Sequence, residues 1–280
     1  MIIDMHTHIF PDAIKENREA YFKGEPAFKL LYDSPKSKIA GAEEIVSTME
    51  AQGVDRSVVF GFPWKDIATC RMQNDYILEA VKQYPDQLIG LCCLDPAHPG
   101  APAEVERCLK AGLSGLGELA FYDSGFTPES LDQLAPLMAL CREADLPVLI
   151  HTNEPVGHSY PGKSPMTLRE IYRLIQTFPD NKIVLAHWGG GIFFYHLMKK
   201  EVKDILANVY VDTAASPYLY DVDIYRLAVE LLGADKILFG SDYPLLKPDR
   251  YFAQLRESGL SPSDVEQVSG LAAGRLLKLY

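Results

Sequence analysis

The chain is poor in cysteine, in positive charge and in histidine, and it contains no long hydrophobic run. Five cysteines in 280 residues, Cys70, Cys92, Cys93, Cys108 and Cys141, form no Cys-x-x-Cys pair, and their odd number argues against a disulfide framework. A reducing, cytoplasmic setting is expected. No stretch approaches the roughly 18 apolar residues of a spanning helix, and the first residues lack a basic segment followed by an apolar signal core, so neither membrane insertion nor export is expected. Lys and Arg number 27 against 38 Asp and Glu, a formal net charge of -11, which disfavours nucleic acid and anionic membranes as partners but leaves room for a local basic pocket around a carboxylate.

What remains is an ordinary globular composition, 48% hydrophobic and 23% charged, long enough to bury a large core. Strand-like apolar runs recur at Ile2 to Met5, Arg56 to Gly61, Leu88 to Leu94, Gly115 to Leu119, Val148 to Ile150, Ile183 to Ala186, Val209 to Val211 and Ile237 to Gly240. Helical patterns lie between them, among them Ala42 to Gln52, Asn74 to Gln83, Ala103 to Ala111, Leu131 to Ala144 and Met166 to Phe178. Near-continuous apolar strands alternating with amphipathic helices predict a parallel sheet covered by helices; eight repeats over residues 1–280 predict one α/β domain, a (β/α)8 TIM barrel. Gly53, Pro147 and Ser261-Pro262 punctuate the pattern where helices end and strands or helices begin. Two long loops are expected, Phe10 to Ile39, over the barrel mouth, and Thr152 to Pro165, broken by Pro155, Gly157, Pro161 and Gly162.

Only seven histidines are present, and four of them fall at strand ends. His6 and His8 close the first run, and the period of two along a strand turns both to one face. Glu118 ends the fourth run, His151 the fifth, His187 the sixth, and Asp242 follows the eighth. In a barrel these ends converge on one face, so six side chains of metal-ligating type are brought together. Singly each has a bland reading: a solvated carboxylate for Glu118, a polar strand terminus for His151, an N-cap or Asx turn for Asp242. His98 in a loop and His196 in a predicted helix are read as ordinary polar residues. His158, with Tyr160 and Lys163, lies on the loop after strand five and is a candidate for substrate contact. Trp64 and Arg71, beyond strand two, are candidates for an apolar wall and for a carboxylate-binding cation, as are Phe62, Trp188 and Lys65, although solvated charge and core packing explain such residues equally well.

The segments Asp4-Met5-His6-Thr7-His8-Ile9-Phe10-Pro11, Leu149-Ile150-His151, Leu185-Ala186-His187-Trp188-Gly189-Gly190-Gly191 and Phe239-Gly240-Ser241-Asp242-Tyr243-Pro244 resemble the amidohydrolase superfamily, in its amidohydrolase-2 branch, which includes decarboxylases related to aminocarboxymuconate semialdehyde decarboxylase. The resemblance spans nearly the whole chain. It implies a distorted barrel of the metal-dependent hydrolase type in which His6, His8, His151 and Asp242 surround a divalent metal and His187 binds the metal or orients its water. Zinc is the expected ion, with manganese or iron as alternatives, and one or two ions are compatible. Two departures stand out: strand four ends in Gly117-Glu118-Leu119, with no lysine where many binuclear relatives carry one, so that Glu118 could bridge two ions; and Leu271 to Leu277 lacks the asparagine usual ahead of the closing helix.

Imidazole and carboxylate ligands with one open position predict a metal-activated water. The first expectation is therefore hydrolysis of an amide, ester or lactone of a small molecule, with Asp242 relaying the proton and His187 holding water or oxyanion. The second is non-oxidative decarboxylation of an unsaturated or aromatic acid at the same site. A third, from another class, is a catalytically silent barrel that binds a metal or ligand. A homodimer is kept open, because apolar helix faces cannot be divided between core and subunit contact by pattern alone.

Overall fold

A computed structural model describes all residues, 1–280. Its strands are β1 (Ile3–His8), β2 (Arg56–Phe60), β3 (Leu88–Gly90), β4 (Leu116–Leu119), β5 (Val148–Ile150), β6 (Ile183–Leu185), β7 (Val209–Asp212) and β8 (Ile237–Leu238). The helices on their return paths are α1 (Ala42–Gln52), α2 (Ile67–Gln83), α3 (Ala101–Lys110), α4 (Pro128–Glu143), α5 (Leu168–Thr177), α6 (Lys200–Ile205), α7 (Asp223–Leu232) and α8 (Asp249–Glu257). Every strand pair is parallel, in the order β1-β2-β3 and β4-β5-β6-β7-β8. Single bridges, Cys92 with Leu116 and Thr7 with Tyr243, join the two sheets into a closed barrel. This is the expected (β/α)8 architecture.

The alternation of side chains divides the core in two. Ile3, Met5, Val58, Phe60, Ile89, Leu91, Leu149, Val184 and Leu238 fill the barrel interior, stoppered by Ala272, Ala273 and Leu276 near the C-terminus. Alternate strand residues such as Val59, Val148, Ile150 and Val211 pack with the helices instead. The register of β1 breaks between Asp4 and Thr7, and beyond that bulge the rings of His6 and His8 both pack on Phe60.

Local signals explain most boundaries. Gly53 ends α1 in the left-handed conformation, φ 70°. Ser261 caps its helix by accepting from Asp264 N at 3.2 Å. Helix α2 begins seven residues before the predicted Asn74, because Asp66 accepts from Thr69 N at 2.8 Å and caps it there. The loop after β1 contains short helices at Asp12–Glu16 and Pro26–Tyr32, and its Phe28 is buried against Phe62 and Trp64. All five cysteines are free and buried, and no helix is long and apolar enough to cross a membrane.

Candidate metal centre

The six polar strand-end residues meet. His6 Nε2 lies 3.7 Å from Glu118 Oε2 and 3.6 Å from Asp242 Oδ1; His8 Nε2 lies 3.7 and 3.5 Å from the same two atoms. His187 Nε2 is 3.8 Å from Glu118 Oε1, and His151 Nδ1 is 3.0 Å from that oxygen. Three overlapping sets, His6-His8-Glu118, His6-His187-Asp242 and Glu118-His151-His187, each hold their donor atoms within 4.8 Å of one another.

The backbone that delivers these groups is specialised. Asp242 N donates to His6 O at 2.9 Å, stitching the end of β8 to β1, and Asp242 itself sits at φ 59°. His187 opens a run of left-handed residues continuing through Trp188 to Gly191, which turns the chain sharply after β6; only the three glycines adopt that conformation freely. Gly240 permits the close approach of β8, since a Cβ there would stand 2.8 Å from His6 Cβ.

Each imidazole is held by the nitrogen that faces away from the centre. His6 Nδ1 pairs with Asp212 Oδ2 at 2.8 Å, His8 Nδ1 with Gly61 O at 3.0 Å, and His187 Nδ1 with Ala214 O at 2.9 Å. A carbonyl only accepts, so these contacts place the proton on Nδ1 and leave Nε2 as a lone pair aimed inward. His151 is reversed: Nε2 donates to Gly162 O at 2.9 Å and Nδ1 faces Glu118. Lone pairs therefore converge on carboxylate oxygens, acceptor against acceptor, and His6 Nε2 is buried without any hydrogen-bond partner. Such a set is resolved by positive charge among the atoms, either as protons on the imidazoles or as a bound cation. Its all-nitrogen-and-oxygen composition fits a divalent transition ion, whose ligands lie about 2.0–2.2 Å away and so about 3–3.6 Å from one another.

Electrostatics agree. Burial would lower the His6 pKa, yet the carboxylates of Glu118, Asp212 and Asp242 push it up to about 10. Burial opposes ionisation of Glu118 and Asp242 too, but the surrounding imidazoles hold Glu118 down at about 2 and Asp242 well below the usual carboxylate range. Burial, aided by the charge of His151 and opposed by Asp242 and Glu118, lowers His187. The pocket is a concentrated negative field that attracts a positive ion.

Asp212, fully buried, was absent from the sequence-derived set. It orients His6 and also accepts from the backbone N–H of His187 at 2.9 Å and of Ala214 at 3.0 Å. The signal was a carboxylate ending β7, one residue beyond the apolar run. Two of the proposed substrate contacts are corrected by their placement. Arg71 lies on α2, exposed, with its guanidinium 3.4 Å from Glu104 on the helical exterior, because the Asp66 cap starts that helix early and carries Arg71 away from the mouth. Trp64 is buried among Tyr21, Phe28 and Phe62 and forms core. Phe62 is buried in the same aromatic core, and Tyr122, near-parallel to it at 6.3 Å and 10°, lies 5.1 Å from the His151 ring. On the loop after β5, Tyr160 Oη and Lys163 Nζ both donate to Glu154, at 2.7 and 2.6 Å, while His158 is exposed beside Tyr160. That loop supplies Gly162 O to His151.

The amidohydrolase family model matches residues 3–279. The chain belongs to the amidohydrolase family. Among curated relatives it is 24% identical to 2-amino-3-carboxymuconate-6-semialdehyde decarboxylase of Dictyostelium discoideum, over 91% of this chain and 85% of that one. Among solved structures it superposes on 5-carboxyvanillate decarboxylase from Sphingomonas paucimobilis with a TM-score of 0.76 at 19% identity, covering 99% of this chain and 98% of that one. It also superposes on a dihydroxybenzoic acid decarboxylase from Polaromonas sp. JS666, which holds manganese and the inhibitor 2-nitroresorcinol, with a TM-score of 0.70 at 20% identity over 99% and 97% of the two chains. An amidohydrolase-type barrel with a cluster of metal-ligating residue types at its strand ends is thus the frame for function.

Proposed function

We propose that the chain is a metal-dependent, non-oxidative decarboxylase of an aromatic or otherwise unsaturated carboxylic acid. The observation that carries this reading is the cluster of His6, His8, Glu118, His151, His187 and Asp242 at the strand ends, flanked by the aromatic ring of Tyr122, which lies 5.1 Å from the His151 ring and near-parallel to Phe62. The relatives described above, all decarboxylases, support it over hydrolysis of an amide, ester or lactone, which the ligand types alone put first. The manganese of the Polaromonas relative likewise favours manganese over zinc.

When bound, the divalent ion supplies positive charge that fixes a substrate oxygen and stabilises electron density drawn toward it. His6, His8, His151 and Asp242 would hold the ion, with Glu118 between the histidines. Tyr122, backed by Phe62, would flank the ring and keep water from one face. In the reaction a proton joins the ring carbon that bears the carboxylate, the carbon–carbon bond then breaks, its electrons return to the ring, and carbon dioxide leaves. Asp242, ionised at Oδ1, would take that proton from water and pass it to the carbon, and the Nε2 lone pair of His187, held inward by Nδ1 on Ala214 O, would position the water that supplies it.

The test is release of carbon dioxide from 2,6-dihydroxybenzoate and related acids by manganese-loaded protein, with Asp242→Asn as the control variant. Turnover should fall by about a thousandfold or more in the variant while the melting curve is kept. Near-normal turnover by the variant would remove Asp242 from this role, and amide, ester or lactone cleavage without decarboxylation would return the assignment to hydrolysis.

A further inference from the structure

Resting on the roles given above to Asp242 and His187, the backbone that carries them points to one further residue. The turns after β6, β7 and β8 each contain a residue other than glycine in the left-handed region: His187 at φ 54°, Ala215 at φ 55° and Asp242 at φ 59°. A residue with a Cβ stays in that conformation only where neighbouring contacts hold it, so each turn needs a tie from outside. The turns after β7 and β8 share one such tie, the hydroxyl oxygen of Tyr251 on α8.

Tyr251 is fully buried, its ring 5.7 Å from that of Phe239. Its Oη accepts from Ala215 N at 2.9 Å and donates to Ser241 O at 2.6 Å, and neither of those groups has another hydrogen-bond partner. Both belong to peptide units that also serve the centre. The carbonyl of Ala214 and the N–H of Ala215 are two ends of one planar amide, and that carbonyl accepts from His187 Nδ1 at 2.9 Å. The carbonyl of Ser241 and the N–H of Asp242 are the ends of another, and that N–H donates to His6 O at 2.9 Å. A head-to-tail path of hydrogen bonds thus runs from the His187 ring through one amide, the Tyr251 hydroxyl and a second amide to the backbone of β1. Each bond in such a path polarises the next. Burial, and after it the charge of Asp242, holds the Tyr251 phenol well above its ordinary pKa, so the hydroxyl keeps the proton that it donates.

We propose that Tyr251 is a positioning residue, whose hydroxyl fixes the His187 ring through the 214–215 amide and the backbone of Asp242 through the 241–242 amide, and so sets the water-holding and proton-moving groups relative to each other. Without the hydroxyl, Ala215 N–H and Ser241 O are buried and unpaired, while every inward-facing atom of the centre remains.

The test compares Tyr251→Phe with Tyr76→Phe, which strips a hydroxyl from another backbone donor, Ala42 N at 2.8 Å, where α2 meets the start of α1. With manganese-loaded protein and 2,6-dihydroxybenzoate, Tyr251→Phe should lower kcat about 10–100-fold with KM and metal content unchanged, and Tyr76→Phe should keep the wild-type kcat. Independently of turnover, nitrogen-15 labelling of the histidine rings in zinc-loaded protein reports the Nδ1 protons by nuclear magnetic resonance. The His187 proton should move upfield in Tyr251→Phe, because the Ala214 carbonyl becomes a poorer acceptor, while those of His6 and His8 stay in place and Tyr76→Phe moves none. An unmoved His187 proton overturns the proposal, as does a shift shared with His6 and His8, which marks a general loosening. Should Tyr251→Phe not fold, the wild-type zinc form decides: a slowly exchanging Tyr251 hydroxyl proton in nuclear Overhauser contact with Ala215 N–H upholds the path, and its absence overturns it. The two ideas fail separately. If no ring acid releases carbon dioxide while the His187 proton shifts, decarboxylation falls and the Tyr251 assignment stands; if Tyr251→Phe releases carbon dioxide at the wild-type rate, the reverse holds.

Discussion

His6, His8 and His187 differ from His151 in what holds them. The first three are anchored at Nδ1 by acceptors belonging to the barrel wall and its immediate turns: Asp212 at the end of β7, Gly61 after β2 and Ala214 after β7. His151 is anchored at Nε2 by Gly162, deep in the loop that follows its own strand. That loop is itself held closed by polar contacts, Asn153 with Ser164 and Glu154 with Tyr160 and Lys163. One part of the centre is therefore as rigid as the barrel, and the other is as rigid as a loop.

Removing a member of the rigid part gives the largest effect: His6→Ala should reduce bound manganese, measured by elemental analysis after gel filtration, to about a tenth of the wild-type stoichiometry or less. Wild-type metal content in that variant would mean the cluster does not bind the ion. Next comes the anchor. Asp212→Asn leaves every inward-facing atom in place but withdraws the charge behind His6, and metal affinity by competition with a chelator should weaken about 10–100-fold. If it does not change, Asp212 is structural only. Gly240→Ala removes no polar group; its Cβ pressing on His6 and meeting Asp212 at 3.4 Å should cost about 1–3 kcal/mol in thermal or denaturant unfolding, and an undiminished stability would show that β8 can yield there. Smallest of all, Lys163→Met loosens the loop rather than the wall, and we expect metal affinity to fall about two- to fivefold. A loss as large as that of Asp212→Asn would erase the distinction between the two parts.

How much of this was legible in the sequence follows the same division. A histidine or carboxylate that terminates an apolar run is visible because strand ends in a barrel all face one mouth, and so His6, His8, Glu118, His151, His187 and Asp242 could be named without coordinates. Asp212 was missed although it has the same signature, because the seventh run was closed at Val211 and its partner His6 is 206 positions away. Arg71 was misplaced because a single cap, Asp66, decides whether it sits on a loop or on a helix. Tyr122 carries no pattern at all: it follows β4, and only aromatic packing sets it between Phe62 and the His151 ring.

The seam of the barrel has a temporal consequence. β1 brings two of the imidazoles and the end of β8 brings Asp242, and the joint between them is made by Met5 N to Phe239 O, Asp242 N to His6 O and Ser241 N to Asp4 Oδ1, the last across 237 positions of chain. These groups therefore meet only when the barrel closes, whichever strand folds first. An ion seated among them would act as a clasp across the seam, tying closure of the ring to occupancy of the centre.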